Sequence, residues 1–296
     1  MIDLLLPTVA QGLLWALMVL GLYVTFRVLD IADLSVEGSF PLGGAVAAIL
    51  LTKGCNPITA LLVACIAGAL AGVVTGLLHT KMKIPALLAG ILTMIALYSV
   101  NLRIMGRANL SLLGVDHTFS IMKAWLEMKT GPTTLIVGFI ACLIVGAWMY
   151  WFFGTEIGMS IRATGFNQQM IRAQGINTDI TIVLGLAISN ALVAMSGALV
   201  AQSNGFADVG MGVGIIVIGL ASVIIGEVLF GNIRTNNAFL VSLIAVVLGS
   251  ILYRIIIAVV LALGMPPNDL KLFTSILVAI ALSLPLIKNK LRKGAK

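Results

Sequence analysis

Long apolar runs separated by short polar interruptions dominate the chain. They fall at roughly 8–26, 39–52, 58–78, 85–105, 133–153, 180–202, 213–230, 238–263 and 270–287. A helix needs about 20 apolar residues to cross the hydrocarbon core of a bilayer, and most of these runs reach that length. The pattern predicts an all-α fold: a polytopic transmembrane helical bundle of about nine spans, with eight to ten compatible with the same interruptions. Pro57, Pro85, Pro132, Pro266, Pro267 and Pro285 all sit near run ends, where a missing amide donor harms a helix least.

Two runs depart from a plain span. Residues 27–41 place Arg27, Asp30, Asp33, Glu37 and Pro41 between apolar stretches. Two readings stand, a short cytoplasmic loop or a broken helix entering a protein-lined cavity, since irregular backbone at membrane depth is tolerated only where protein or water covers it. The run 238–263 carries Arg254 and is either one tilted helix or a helix with a re-entrant turn. In the third run Ala60, Ala64, Gly68, Gly72 and Gly76 recur every four residues. They form a smooth stripe that lets another helix approach closely, and this span is expected at the centre of the bundle. Between the fourth and fifth runs, residues 106–131 are the longest extracellular segment. Phe119, Met122, Trp125 and Leu126 share a helical face there, which fits a short interfacial helix or an ordinary loop.

Composition agrees with lipid as the solvent. Apolar residues make up 60% of the 296 and charged residues 10%, whereas a soluble domain carries about a quarter charged residues. The net charge of +7 does not point to nucleic acid, because Lys288, Lys290, Arg292, Lys293 and Lys296 crowd a basic tail at 288–296. Such a tail after an apolar run marks a cytoplasmic anchor beside anionic lipid. With the tail inside, the inner segments hold Arg27, Lys81, Lys83, Arg162, Arg172 and Arg234. The outer ones hold Lys53, Arg103, Arg107, Lys123, Lys129 and Lys271. The positive-inside rule then predicts a multi-pass protein of a bacterial plasma membrane with its N-terminus out and C-terminus in. The acidic start Met1-Ile-Asp3 and the long first run predict no removable signal peptide.

Catalytic chemistry has no foothold. Cys55, Cys65 and Cys142 form no CxxC pair, His79 and His117 are isolated, and neither HExxH nor GxxxxGK[ST] occurs. No metal site, catalytic residue or phosphate loop is predicted. Polar residues inside apolar spans are costly and usually face protein or water. They nominate Glu37, Ser39, Thr93, Tyr98, Asn101, Ser189 and Asn190 for a translocation path, with helix-to-helix hydrogen bonds as the competing role for each. Glu227, near the inner end of its span, has an interfacial role by default.

The loop 154–180, GTEIGMSIRATGFNQQMIRAQGINTDI, is the longest polar interruption on the inner side. Gly165 and Gly175 divide it into two short pieces, and Asn177 with Thr178 starts the next span. Such a piece, held between two spans, can pass motion from a soluble partner to the bundle. A generic linker is the alternative.

The run from Gly158 to Asn167, G-M-S-I-R-A-T-G-F-N, and the run A-Q-G-I-N from Ala173 to Asn177 resemble the coupling loop of membrane permeases of ABC importers. The group in question serves branched-chain amino acids and ribose. Asp33-Leu-Ser-Val-Glu-Gly-Ser-Phe-Pro-Leu-Gly43 and Lys83-Ile-Pro-Ala-Leu-Leu-Ala-Gly-Ile-Leu-Thr-Met94 are similar to its tryptophan/tyrosine-type subgroup. The resemblance covers nearly the whole chain. It implies a single permease domain over 1–296 that moves aromatic amino acids by alternating access. A second permease copy, two cytoplasmic ATPase subunits and an extracytoplasmic binding protein would be its partners. ATP and magnesium would sit on the ATPase, with no cofactor and no enzymatic activity on this chain. Carried over by position, Arg162, Ala163, Gly165, Asn167, Ala173, Gly175 and Ile176 would lie at the ATPase interface. The competing reading is an ion-coupled secondary transporter with its ion site at Glu37 or Arg254.

Overall fold

The computed structural model describes residues 2–126, 130–230 and 237–264, and beyond them positions 266, 269, 272–276 and 278–279. The expected last span, 270–287, therefore falls mostly outside the described residues. So do the basic tail, Lys129, Arg234, Lys271, Pro267 and Pro285.

Helix α1 (Ile2–Tyr23) continues into a π-helical turn at Val24–Val28. After a non-helical stretch the chain resumes as α2 (Val36–Thr52), α3 (Pro57–Thr80) and α4 (Ala86–Met105). Then come a short strand β1 (Asn109–Ser111), α5 (Thr118–Leu126) and α6 (Thr130–Phe153). Next are the small helices α7 (Glu156–Phe166) and α8 (Gln168–Ala173), the long α9 (Thr178–Asn204), β2 (Phe206–Asp208) and a 3-10 turn at Val209–Gly212. The described part ends with α10 (Ile215–Phe230) and α11 (Ala238–Ala262). Among the described residues seven helical segments are long and apolar enough to cross a membrane, and α2 is a shorter apolar helix. The expected bundle is present, while a count of about nine is not reached within the described residues. Helix α11 is continuous, so the run 238–263 contains no re-entrant turn through Ala262.

Local sequence explains the helix ends. The Asn56 side chain accepts from the Ile58 amide at 2.9 Å with Pro57 in the first turn, and Asn177 accepts from the Asp179 amide at 3.0 Å. Each satisfies a donor that the helix leaves free. Gly106 and Gly205 close α4 and α9 in left-handed conformations, φ 68° and 77°, which glycine adopts without steric cost.

The bundle is organised around α9, which packs against α1, α2 and α3. The small-residue stripe on α3 meets α9. Ala60, Ala64, Gly68, Gly72 and Gly76 are buried, while Ile58, Leu62, Ile66 and Leu70 face outward. A Cβ on Gly68 would lie 2.4 Å from the Asn190 carbonyl oxygen, and one on Gly72 would lie 2.3 Å from that of Leu186. Backbones this close replace the hydrophobic drive that lipid cannot supply between helices. Serine hydroxyls tie α1 into the same core: Ser189 donates to the Gly21 carbonyl at 2.8 Å and Ser196 to that of Leu14 at 2.7 Å.

The stretch 29–35 is the broken element that the second reading of 27–41 anticipates. Asn190 lies near the middle of α9, roughly 20 Å from either end at 1.5 Å per residue, and its side chain bonds both Asp33 and Ser39. The non-helical chain thus enters the bundle to about its middle. Helix α2 then runs parallel to α9, Gly43 against Ala194 and Gly44 near Gly197 and Ala201.

At one end of the bundle β1 and β2 pair antiparallel, Leu110 opposite Ala207, a small sheet that the all-α pattern did not anticipate. Helix α5 forms as the helical reading of 106–131 expected, with Phe119 buried and the Thr118 amide donating to Gln202 Oε1 at 2.9 Å. The side chains of Trp125 and Leu126 lie outside the description. The other end of the bundle carries α7 and α8 together with Arg27, Lys81, Lys83, Arg162 and Arg172. Lys53, Arg103, Arg107 and Lys123 belong to the end that bears the sheet.

Candidate functional site

The end bearing α7 and α8 is built as an outward ridge on an inward anchor. Thr155 and Asn167 cap the two helices, accepting from the Gly158 and Met170 amides at 3.3 and 3.0 Å. On the inner side, a Cβ at Gly158 would lie 2.2 Å from the Phe152 carbonyl oxygen, and one at Gly165 would lie 1.9 Å from that of Val28. Ile161 is fully buried, and the hydroxyls of Thr164 and Thr181 are 2.9 Å apart. Helix α7 is therefore clamped to α6, to the π turn and to α9 by residues that accept no bulk.

On the outer side Phe166 is 95% exposed, flanked by the half-exposed Met159 and Met170. With Arg162, Ala163 and Asn167 these residues line an open groove of about 400 Å³. The Arg162 guanidinium also lies over the Phe239 ring, 4.8 Å from its centroid, which fixes a flexible cation in place. Asn167 spends its side-chain oxygen on the α8 cap, and Gly165 faces its own chain. Gly175, at φ 85°, ends the loop so that the Ile176 amide can donate back to Ile171 at 3.3 Å. Ala173 is exposed at the end of α8. Of the residues expected at an ATPase interface, Arg162, Ala163 and Asn167 thus share one groove, whereas Gly165 and Gly175 shape backbone. Sequence reasoning missed Phe166, Met159 and Met170. Their signal was three large unbranched or aromatic apolar side chains at spacings of seven and four, set among the isoleucines of the same loop.

The polar residues within spans fall into two groups. Ser39, Thr93, Ser189 and Asn190 are buried and bond between elements. Thr93 accepts from Thr75 at 3.0 Å, and Ser39 donates to Asn190 Oδ1 at 2.6 Å. Asp33, which the sequence reading left out of the site, is the hub of this network. It is 1% exposed and accepts from the Ser35 amide and hydroxyl at 2.8 and 2.6 Å, and from Asn190 Nδ2 at 2.8 Å.

Glu37, Tyr98 and Asn101 instead come together on a cavity of about 420 Å³ between α2, α4 and the 3-10 turn. The Gly214 amide donates to Glu37 Oε1 at 3.0 Å, and Asn101 Nδ2 donates to the Gly38 carbonyl at 3.1 Å. Arg254 lies over the Trp15 ring at 3.9 Å, away from this cavity. Glu227 pairs with Arg27, joining α10 to the π turn. Among the described residues no group of three or more His, Cys, Asp or Glu is placed to hold a metal ion.

The described residues thus form a helical bundle threaded by a broken span, with an apolar ridge at one end and a largely apolar cavity against α2 and α4. The chain belongs to the family described as branched-chain amino acid transport system / permease component, whose model matches residues 4–282. It is a multi-pass membrane protein and the permease component of a transport system. It is 40% identical over 289 residues to the tyrosine transport system permease protein of Clostridioides difficile (strain R20291), covering 97% of this chain and 93% of that one. It is also 36% identical over 283 residues to an uncharacterized protein of Rickettsia prowazekii (strain Madrid E), covering 95% and 97%.

Proposed function

We propose that this chain, as one permease domain over 1–296, is the membrane subunit of an ATP-driven importer of amino acids, with aromatic ones of the tyrosine type as cargo. Two copies pair in the bacterial inner membrane with N-termini out and C-termini in. Two separate ATPase subunits, which carry ATP and magnesium, grip α7 and α8 on the cytoplasmic side, and an external binding protein delivers solute. The observation that carries this reading is the ridge of Phe166, Met159 and Met170, apolar and solvent-facing at a helix end rather than along a lipid-facing flank. A large exposed apolar patch rimmed by polar groups marks a protein interface. Gly158, Ile161 and Gly165 behind it leave little slack, so a push on the ridge reaches the π turn, the broken segment and α9. ATP-driven movement of the ATPases would then shift the bundle between outward-open and inward-open states. Solute would pass the region of Glu37, Ser39, Thr93, Tyr98, Asn101, Ser189 and Asn190.

The test is tyrosine uptake into proteoliposomes holding this chain together with its ATPase and binding-protein partners. ATP-dependent uptake that persists after ion gradients are collapsed is expected. Gradient-driven uptake by this chain alone would replace the reading with that of a secondary transporter.

A further inference from the structure

A larger cavity, of about 610 Å³, opens at the α7–α8 end of the bundle, between the last turn of α6 and the first turn of α11. Tyr150 and Trp151 line it from α6, Asn237 and Ala238 from α11, and Arg162 from α7. Phe153 and Phe239 also line it, their rings 5.4 Å apart. The two helices touch, and both carry lipid-facing rows away from the cavity. On α6, Ile144, Trp148 and Trp151 are exposed at spacings of four and three. On α11, Leu240, Ile244 and Leu248 are exposed at spacings of four. Such spacings keep each set on one helical face. Tryptophan and tyrosine in the last turn of a spanning helix mark the headgroup level of the bilayer.

The cavity is positive. No carboxylate lines it, and Arg162 takes part in neither ion pair among the described residues, which join Arg27 to Glu227 and Arg172 to Asp179. Its guanidinium is held over the Phe239 ring, a contact that uses the charge and leaves the N–H donors for an acceptor. Asn237 opens α11 without a side-chain cap, so amides of that first turn add to the donors beside Arg162.

We propose that the cavity seats the phosphate of an anionic phospholipid, bound by Arg162, with Tyr150 and Trp151 at the headgroup level and the acyl chains along the exposed rows of α6 and α11. A basic pocket beside spanning helices suits a lipid headgroup on grounds of charge. Because Arg162 also borders the groove of Phe166, the lipid braces the base of the ridge. The inference rests on the permease reading only for the leaflet, the cytoplasmic one, and the binding can be measured on the permease alone.

The test reconstitutes the permease into phosphatidylcholine bilayers with a rising fraction of phosphatidylglycerol brominated on its acyl chains, or of phosphatidylcholine brominated likewise. Bromine quenches tryptophan at contact, and the signal of Trp148 and Trp151 is obtained by difference from the Trp148→Phe/Trp151→Phe variant. The readout is local, so lipid drawn elsewhere on the protein does not contribute. Half-quenching is expected at a roughly 5- to 10-fold lower fraction of phosphatidylglycerol than of phosphatidylcholine, the attraction of about one cation near the membrane surface. Arg162→Gln should bring the two curves together, and Arg162→Lys, which keeps the charge, should preserve the preference. Excess inorganic phosphate should leave the quenching unchanged. Equal quenching by the two lipids, a preference that survives Arg162→Gln or is lost in Arg162→Lys, or displacement by inorganic phosphate overturns the proposal. An assembled transporter with no ATP-dependent uptake but this preference intact would overturn the importer reading and leave the lipid site standing.

Discussion

Replacing Phe166 with aspartate is expected to abolish ATP-driven uptake while leaving the permease folded. The side chain is 95% exposed, so its loss opens no cavity in the bundle, and the unfolding midpoint in detergent should not move. Its contribution lies in the interface, where a central aromatic anchor is typically worth about 2–4 kcal/mol. A carboxylate in its place adds the cost of burying a charge without a partner. Affinity for the ATPase should therefore fall roughly 30- to 1,000-fold, read as loss of co-purification and of ATPase stimulation by the loaded binding protein. Arg162→Ala acts on the same groove but also removes the cation over Phe239. It should lower both affinity and midpoint, which separates a residue that only grips from one that also braces.

The second large effect lies at Asp33 and Asn190. Asp33→Asn sets an amide donor against Asn190 Nδ2, and Asn190→Asp sets a carboxylate against the Asp33 carboxylate at a bond now 2.8 Å long. Both sites are buried, where water cannot repair the mismatch, so each single change should cost about 2–4 kcal/mol. The exchange of both, Asp33→Asn with Asn190→Asp, restores one donor facing one acceptor and should recover about 1–3 kcal/mol of the summed loss. Denaturation in detergent or bicelles reads this cycle directly. Strict additivity would mean that the broken segment is not held to α9 by this pair.

The parts of the fold legible in the sequence were those written in long periodic runs. The stripe Ala60, Ala64, Gly68, Gly72 and Gly76 announced its own close helix contact, and the partner proved to be α9. The charged stretch around Asp33 announced a break in helical structure, because Asp30, Asp33 and Glu37 could not face lipid. Which of its carboxylates would be a hub and which would face a cavity was not legible. Asp33 and Glu37 are told apart by what α9 and the residues just before α10 place opposite them, information carried by residues 150–180 positions away. The same holds for Asn101, whose role depends on the Gly38 carbonyl of another helix. In the loop 154–180 the conspicuous glycines proved to serve packing and turning. The outward ridge was overlooked because Phe166, Met159 and Met170 resemble ordinary apolar residues until their exposure is known. The pairing of β1 with β2 escaped notice because three residues are too few for an alternation to register.

The central claim is that the α7–α8 ridge is the cytoplasmic handle held by a separate ATPase. It is tested most directly by Phe166→Cys in the background lacking Cys55, Cys65 and Cys142, with a membrane-impermeant maleimide. The account predicts labelling in inside-out vesicles, none in right-side-out ones, and loss of labelling when the ATPase is added. Labelling from the outside, or labelling that the ATPase leaves unchanged, would contradict it.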